Sequence, residues 1–166
     1  MSNPTGKMQA HASLLEQFYT AFQQRDYRSM AAAYHPDATF RDGAFDLKNG
    51  QEIAAMWHML CTGGRDLRVE YRDVQAGHQQ GSAHWEAYYT FSRTGRPVHN
   101  VIDSAFEFQA GKIIRQQDSF SFWRWSRQAL GPAGWLLGWT PLLQNKVRAT
   151  AMGNLRKFIG EHPEYQ

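Results

Sequence analysis

The chain has 166 residues, a net charge of +3, 20% charged and 14% aromatic side chains. That length suits one domain with a sizeable core, and its scattered basic residues, without a clustered run or an RNA-binding signature, exclude nucleic acid as the expected partner. No apolar run reaches the roughly 18 residues of a membrane span and the N-terminus lacks the apolar core of a signal peptide, so no membrane is expected.

In chain order, residues 1–7 are expected to be loose and disordered. A helix follows over about Met8 to Gln24, where Leu14, Leu15, Phe18, Ala21 and Phe22 recur at helical spacing. Asp26 is placed to cap a second, short helix ending near Tyr34-His35-Pro36, and Asp37 to Asp42 alternates like a short strand. Asn49-Gly50 opens a third helix through about Leu60, stopped by Gly63-Gly64. Long strands are predicted over Leu67 to Ala76 and Gly81 to Arg93, and a hairpin over Val98 to Trp123 turning at Gln109-Ala110-Gly111-Lys112. Helices followed by a curled meander spell α+β rather than alternating βαβ.

Beyond it, Leu130 to Pro141 is too rich in Gly and Pro for a helix and too apolar for an exposed loop. It is expected to cover a pocket mouth or a partner subunit. A last helix from about Pro141 to Ile159 carries Leu143, Val147, Ala151, Leu155 and Phe158 at helical spacing. The organisation expected is a core domain over 8–125, with 126–166 packing on it or on a partner.

The hairpin raises a chemical question. If Gln109 and Lys112 close a two-residue turn, Asp103 faces Asp118 across the strands, on a mostly apolar face. Two carboxylates so placed do best sharing a proton, which is how many acid–base sites are built. A bulge of one residue would instead send Asp103 to the other face. The single cysteine, Cys61, at an apparent helix end, reads as packing and fits a reducing, cytoplasmic compartment. His-x-x-x-His metal spacing, phosphate-binding glycine loops and a Gly-x-Ser-x-Gly elbow are all absent, so no metal and no cofactor is expected.

With this order of elements, two segments carry a resemblance: Tyr34-His35-Pro36-Asp37-Ala38-Thr39-Phe40-Arg41-Asp42, and Val101-Ile102-Asp103 followed by Gly111-Lys112-Ile113. On them the chain resembles the nuclear transport factor 2-like superfamily, with its ketosteroid isomerases, limonene epoxide hydrolases and SnoaL-like polyketide cyclases. The resemblance implies a conical α+β barrel, a curved antiparallel or mixed sheet wrapped around N-terminal helices, with an extra C-terminal helix here. It implies Asp42 as a proton-abstracting base, Asp103 as a protonated donor to an enolate, and Asp118 as an acid–base group of the cyclase or hydrolase kind. His99, four residues before Asp103, is a further candidate proton carrier.

Phe18, Tyr34, Phe40, Trp57, Val101 and Phe120 are the candidate ligand contacts. Two departures stand out: Phe18 falls where the isomerases carry an oxyanion Tyr, and Val101 where the hydrolases carry an Arg. The function so implied is cofactor-free isomerisation or cyclisation beside a carbonyl of a small hydrophobic molecule, by a homodimer paired through the convex sheet face. The alternative is a non-catalytic ligand-binding or interaction module of the same fold.

Overall fold

A computed structural model describes residues 3–166. Helix α1 runs Pro4–Gln23, so the chain is helical well before Met8. The reason is local: the Asn3 side chain accepts from the Thr5 amide, and Pro4 at the first helical position needs no amide partner. Of the residues expected to be loose, positions 1–2 lie outside those described. Asp26 caps α2 (Tyr27–Ala32) through the Ser29 amide at 3.1 Å. Strand β1 (Tyr34–Arg41) starts where the second helix was expected to end. A two-residue strand, β2 (Asp46–Leu47), pairs back on it.

Helix α3 (Gly50–Gly63) begins with a reciprocal cap: Asn49 accepts from the Glu52 amide at 2.9 Å and Glu52 from the Lys48 amide at 2.7 Å. Strands β3 (Arg68–Ala76), β4 (Gln80–Phe91), β5 (Arg96–Gln109) and β6 (Lys112–Ser119) follow. They complete a six-stranded mixed sheet in the order β2-β1-β6-β5-β4-β3, with β1 parallel to β6 and the other pairs antiparallel. The sheet is open, its edges β2 and β3, rather than a closed barrel. One face packs against α1 and α3 in a core that includes Leu15, Phe18, Met30, Phe40, Ile53, Trp57, Ile102, Phe106 and Ile113.

The turn between β5 and β6 is as expected: Ala110 and Gly111 both have positive φ (52° and 74°), as a type I′ turn requires. The register beyond it is not. Phe108 pairs with Ile113 but Glu107 with Arg115, so Ile114 is an extra residue. This bulge buries Ile113, keeps Gln116 and Asp118 on the inner face, and puts Ser104, not Asp103, opposite Asp118. The expected Asp103–Asp118 pairing is thereby corrected.

The hairpin also ends earlier than expected, because Ser121 caps a helix, α4 (Phe122–Leu130). The Gly/Pro-rich stretch beyond it is not irregular chain. It forms α5 (Pro132–Leu137), and its glycines serve contact: a Cβ on Gly134 would sit 1.9 Å from the Ser126 carbonyl oxygen. Small residues there let α4 and α5 touch backbone to backbone. The helix α6 (Pro141–Glu161) and a 3-10 turn (Pro163–Tyr165) complete the chain. Between α5 and the start of α6 a patch stays open to solvent, with Trp135 57%, Leu136 71%, Trp139 69% and Leu142 80% exposed. No helix among the described residues is long and apolar enough to cross a membrane.

Candidate active site

The inner face of β5 and β6 holds a buried chain of polar side chains inside an aromatic shell. Asp118, 4% exposed, accepts from the Ser104 hydroxyl at 2.5 Å and the Gln116 amide at 2.9 Å, both on Oδ1. Ser104 in turn accepts from the Trp85 indole N–H at 2.9 Å. On the other side, the Tyr34 hydroxyl donates to Gln116 Oε1 and accepts from the Trp57 indole N–H at 3.0 Å. Every link is donor to acceptor, so the network tolerates burial.

Burial nevertheless disfavours the charged form of Asp118, and pushes its pKa up to about 7. The Ser104 and Gln116 hydrogen bonds pull it down, and the nearby charge of Asp42 raises it further. At neutral pH such a group is part acid, part base. The Tyr19 hydroxyl, also buried, makes no hydrogen bond among the described residues. Burial raises its pKa, with the charge of Asp118 adding to the rise and the nearby Ser104 side chain opposing it.

Asp42 follows the end of β1 and is half-buried. Its Oδ1 accepts from the amides of Ala44 and Phe45, both at 2.7 Å. Burial still holds its pKa above the ordinary carboxylate range, against these two bonds and the Arg148 guanidinium on α6. Phe120 packs beside it, its ring 3.0 Å from where a Cβ on Gly43 would stand.

The structure thus brings together Asp42, Asp118, Tyr34, Phe40, Trp57, Phe18 and Phe120. Phe18 packs edge-on against Tyr34 and Trp57, at 5.7 and 5.8 Å, and Phe40 against Trp57 at 5.8 Å. Asp103, His99 and Val101 are elsewhere. Asp103 is exposed on the outer face of the sheet and meets His84 Nδ1 at 2.8 Å. His99 meets Glu86 at 2.5 Å on the same face, and Val101 pairs with Glu86 across the strands.

Three members of the buried network, Ser104, Gln116 and Trp85, escape a reading of the sequence. Their signal was weak but present: Gln116 alternates with Asp118, and Ser104 becomes its partner once a bulge is allowed. Open grooves occur on the surface, one of about 490 Å³ beside Tyr89, Val98, His99 and Gln128, another of about 610 Å³ beside Arg96, Arg127, Pro132 and Trp135. Cys61 is buried and its thiol is pushed up to about 11, which leaves it a packing residue rather than a nucleophile.

An open mixed sheet folded over helices, with carboxylates on its inner face, defines an α+β fold of the nuclear transport factor 2 kind. The comparisons narrow this: the model of the SnoaL-like domain matches residues 15–116, and the chain belongs to that family. Among solved structures it is similar to an LEH-like epoxide hydrolase from M. tuberculosis (17% identity, 78% of this chain and 97% of that one, TM-score 0.62). It is similar also to a protein described as a polyketide cyclase from Xanthomonas campestris pv. campestris (17%, 74% and 98%, TM-score 0.63). A third is a ketosteroid isomerase-like fold from Catenulispora acidiphila, solved with trimethylamine (14%, 77% and 97%, TM-score 0.63). At these identities the likeness is one of fold. No curated protein matches the chain.

Proposed function

We propose that this SnoaL-like protein is a cofactor-free enzyme that moves a proton beside a carbonyl of a small hydrophobic compound, as an isomerase or cyclase does. The observation that carries the reading is a fully buried carboxyl, Asp118, poised near neutrality within electrostatic reach of a second carboxyl, Asp42. Asp42, steadied by two backbone amides, is the base that takes the α-proton. Asp118 takes the donor's part that the sequence assigned to Asp103. Both of its hydrogen bonds end on Oδ1, so Oδ2 carries the proton offered to the developing enolate oxygen. Tyr19, whose hydroxyl lies near Ser104 but completes no hydrogen bond of good geometry, is the second donor in place of the missing one at Phe18. Phe18, Phe40, Trp57 and Phe120 form the apolar lining.

The test is hydrogen exchange in D2O, followed by NMR, on a panel of cyclic enones and β-dicarbonyl compounds. The wild-type protein should accelerate α-hydrogen exchange, and Asp118→Asn and Asp42→Asn should each lose about 10²–10⁴-fold. A wild type no faster than the double variant leaves the non-catalytic module. The fully buried Phe18, Phe40 and Trp57 are what favour that second reading.

We also infer a homodimer in a reducing cytosol. The open Trp135–Leu142 surface, rather than the convex sheet face expected from the sequence, is the pairing face because it exposes Trp135, Leu136, Trp139 and Leu142 together, and a single buried cysteine suits that compartment. Sedimentation equilibrium should give twice the chain mass, and Trp135→Ser with Trp139→Ser should give the chain mass. A wild-type monomer sinks the inference.

A further inference from the structure

A second cluster of chemically active side chains lies apart from the buried network, where α3 meets the turn after α6. His58 projects from α3, His162 follows the end of α6, and Glu164 lies in the 3-10 turn. One donor atom from each lies within 4.8 Å of the other two. We propose that these three residues form a binding site for a divalent transition metal of the zinc type, which fastens the 3-10 turn to α3.

Both imidazoles are held through one ring nitrogen. His162 Nδ1 lies 2.8 Å from the Phe158 carbonyl oxygen. A carbonyl only accepts, so Nδ1 carries the hydrogen and Nε2 keeps a free lone pair. His58 Nδ1 lies 3.0 Å from the Tyr165 hydroxyl, which can accept from it; in the tautomer where Nδ1 donates, Nε2 has its lone pair for a ligand. Metal-binding histidines have this arrangement: one ring nitrogen is occupied by a neighbour, which fixes tautomer and ring angle for the other.

The rings are also fixed by stacking, His58 on Tyr27 and His162 on Phe158, both at 3.8 Å between centroids. Their own centroids are 5.1 Å apart with planes at 73°. A tetrahedral zinc site sets its donors about 3.4 Å apart. Every pair of donor atoms lies within 4.8 Å, and Glu164, exposed and without a hydrogen bond among the described residues, is free to swing towards the two imidazoles. Two nitrogens and one carboxylate oxygen suit zinc, cobalt or nickel better than calcium or magnesium, and leave one position to water.

The outer-face cluster on β4 and β5 does not compete. Both nitrogens of His84 are already engaged, by Asp103 and Glu86, and His99 Nε2 is engaged by Glu86.

The experiment is a Co²⁺ and Zn²⁺ titration of the full chain, free of any polyhistidine tag, by visible absorption and calorimetry. One equivalent of Co²⁺ should bind with the intense visible bands of a tetrahedral site, be displaced by Zn²⁺, and raise the melting temperature. Glu164→Gln, an exposed change that leaves packing untouched, should weaken binding about tenfold, and His162→Gln should abolish the bands. A His84→Gln, His99→Gln double variant should bind like the wild type. The proposal is overturned if no stoichiometric binding occurs, if Glu164→Gln and His162→Gln bind unchanged, or if the double variant is the one that loses the metal.

Discussion

The two faces of one sheet treat carboxylates in opposite ways. On the inner face Asp118 has only neutral neighbours to bond, and burial raises it to about 7. On the outer face Glu86 is reached by water and held by His99, His84 and Tyr88, and its pKa falls to about 2. The residues are one strand apart, β6 against β4, with β5 between them contributing Ser104 to one site and His99 to the other. Adjacent positions on β5 thus feed different chemistries: Ser104 the dry one and Asp103 the wet one. Burial outweighs two hydrogen bonds at Asp118, whereas at Glu86 the hydrogen bonds from His99 and His84 outweigh burial.

The largest effect that could break this comparison lies in pH and stability. The folded pKa of Asp118 lies above the ordinary carboxylate value, so the folded state binds its proton more tightly than the unfolded chain. Its contribution is therefore full below about pH 4 and is lost as pH rises through 7, roughly 4 kcal/mol in all by the size of the shift. Denaturant unfolding at pH 5 and 8 should show Asp118→Asn gaining on the wild type by about 2–3 kcal/mol as pH rises. Parallel profiles would mean that the inner site is wetter than its geometry says.

The smaller effect belongs to the outer face and has the opposite sign. Glu86 is lowered, first by His99 and then by His84, so its contribution is present above its unfolded pKa and lost as pH falls towards 2. Glu86→Gln should cost little stability at neutral pH, and a salt titration of both proteins should erase most of the difference. A cost that survives high salt would show the outer cluster to be shielded after all.

Much of the fold was legible because it rests on local chemistry. Asp26 and Asn49 cap the helices they were expected to cap, and Ala110-Gly111 makes the turn at the foot of the hairpin. The family segment ending in Asp42 was equally plain. The register was not, since a bulge at Ile114 leaves no mark in composition, and one residue of slip exchanged Asp103 for Ser104. The α5 helix was missed for a related reason. Gly134 and Gly138 look like helix breakers along the chain, but their purpose lies across the chain, where α4 passes too close for a Cβ. Local rules cannot anticipate a contact whose other half is eight or more residues away.

The distribution of tryptophan has a consequence for observing the molecule. Trp57, Trp85 and Trp125 are at most 8% exposed, whereas Trp123, Trp135 and Trp139 are 36%, 57% and 69% exposed. The protein therefore carries two fluorophore populations, one emitting from an apolar interior and the other from water, separable by a soluble quencher. A molecule lodged beside Trp57 alters the blue component, and anything that covers the α5–α6 patch alters the red one. Light emission alone can thus tell occupation of the interior from association at the surface, with no label attached.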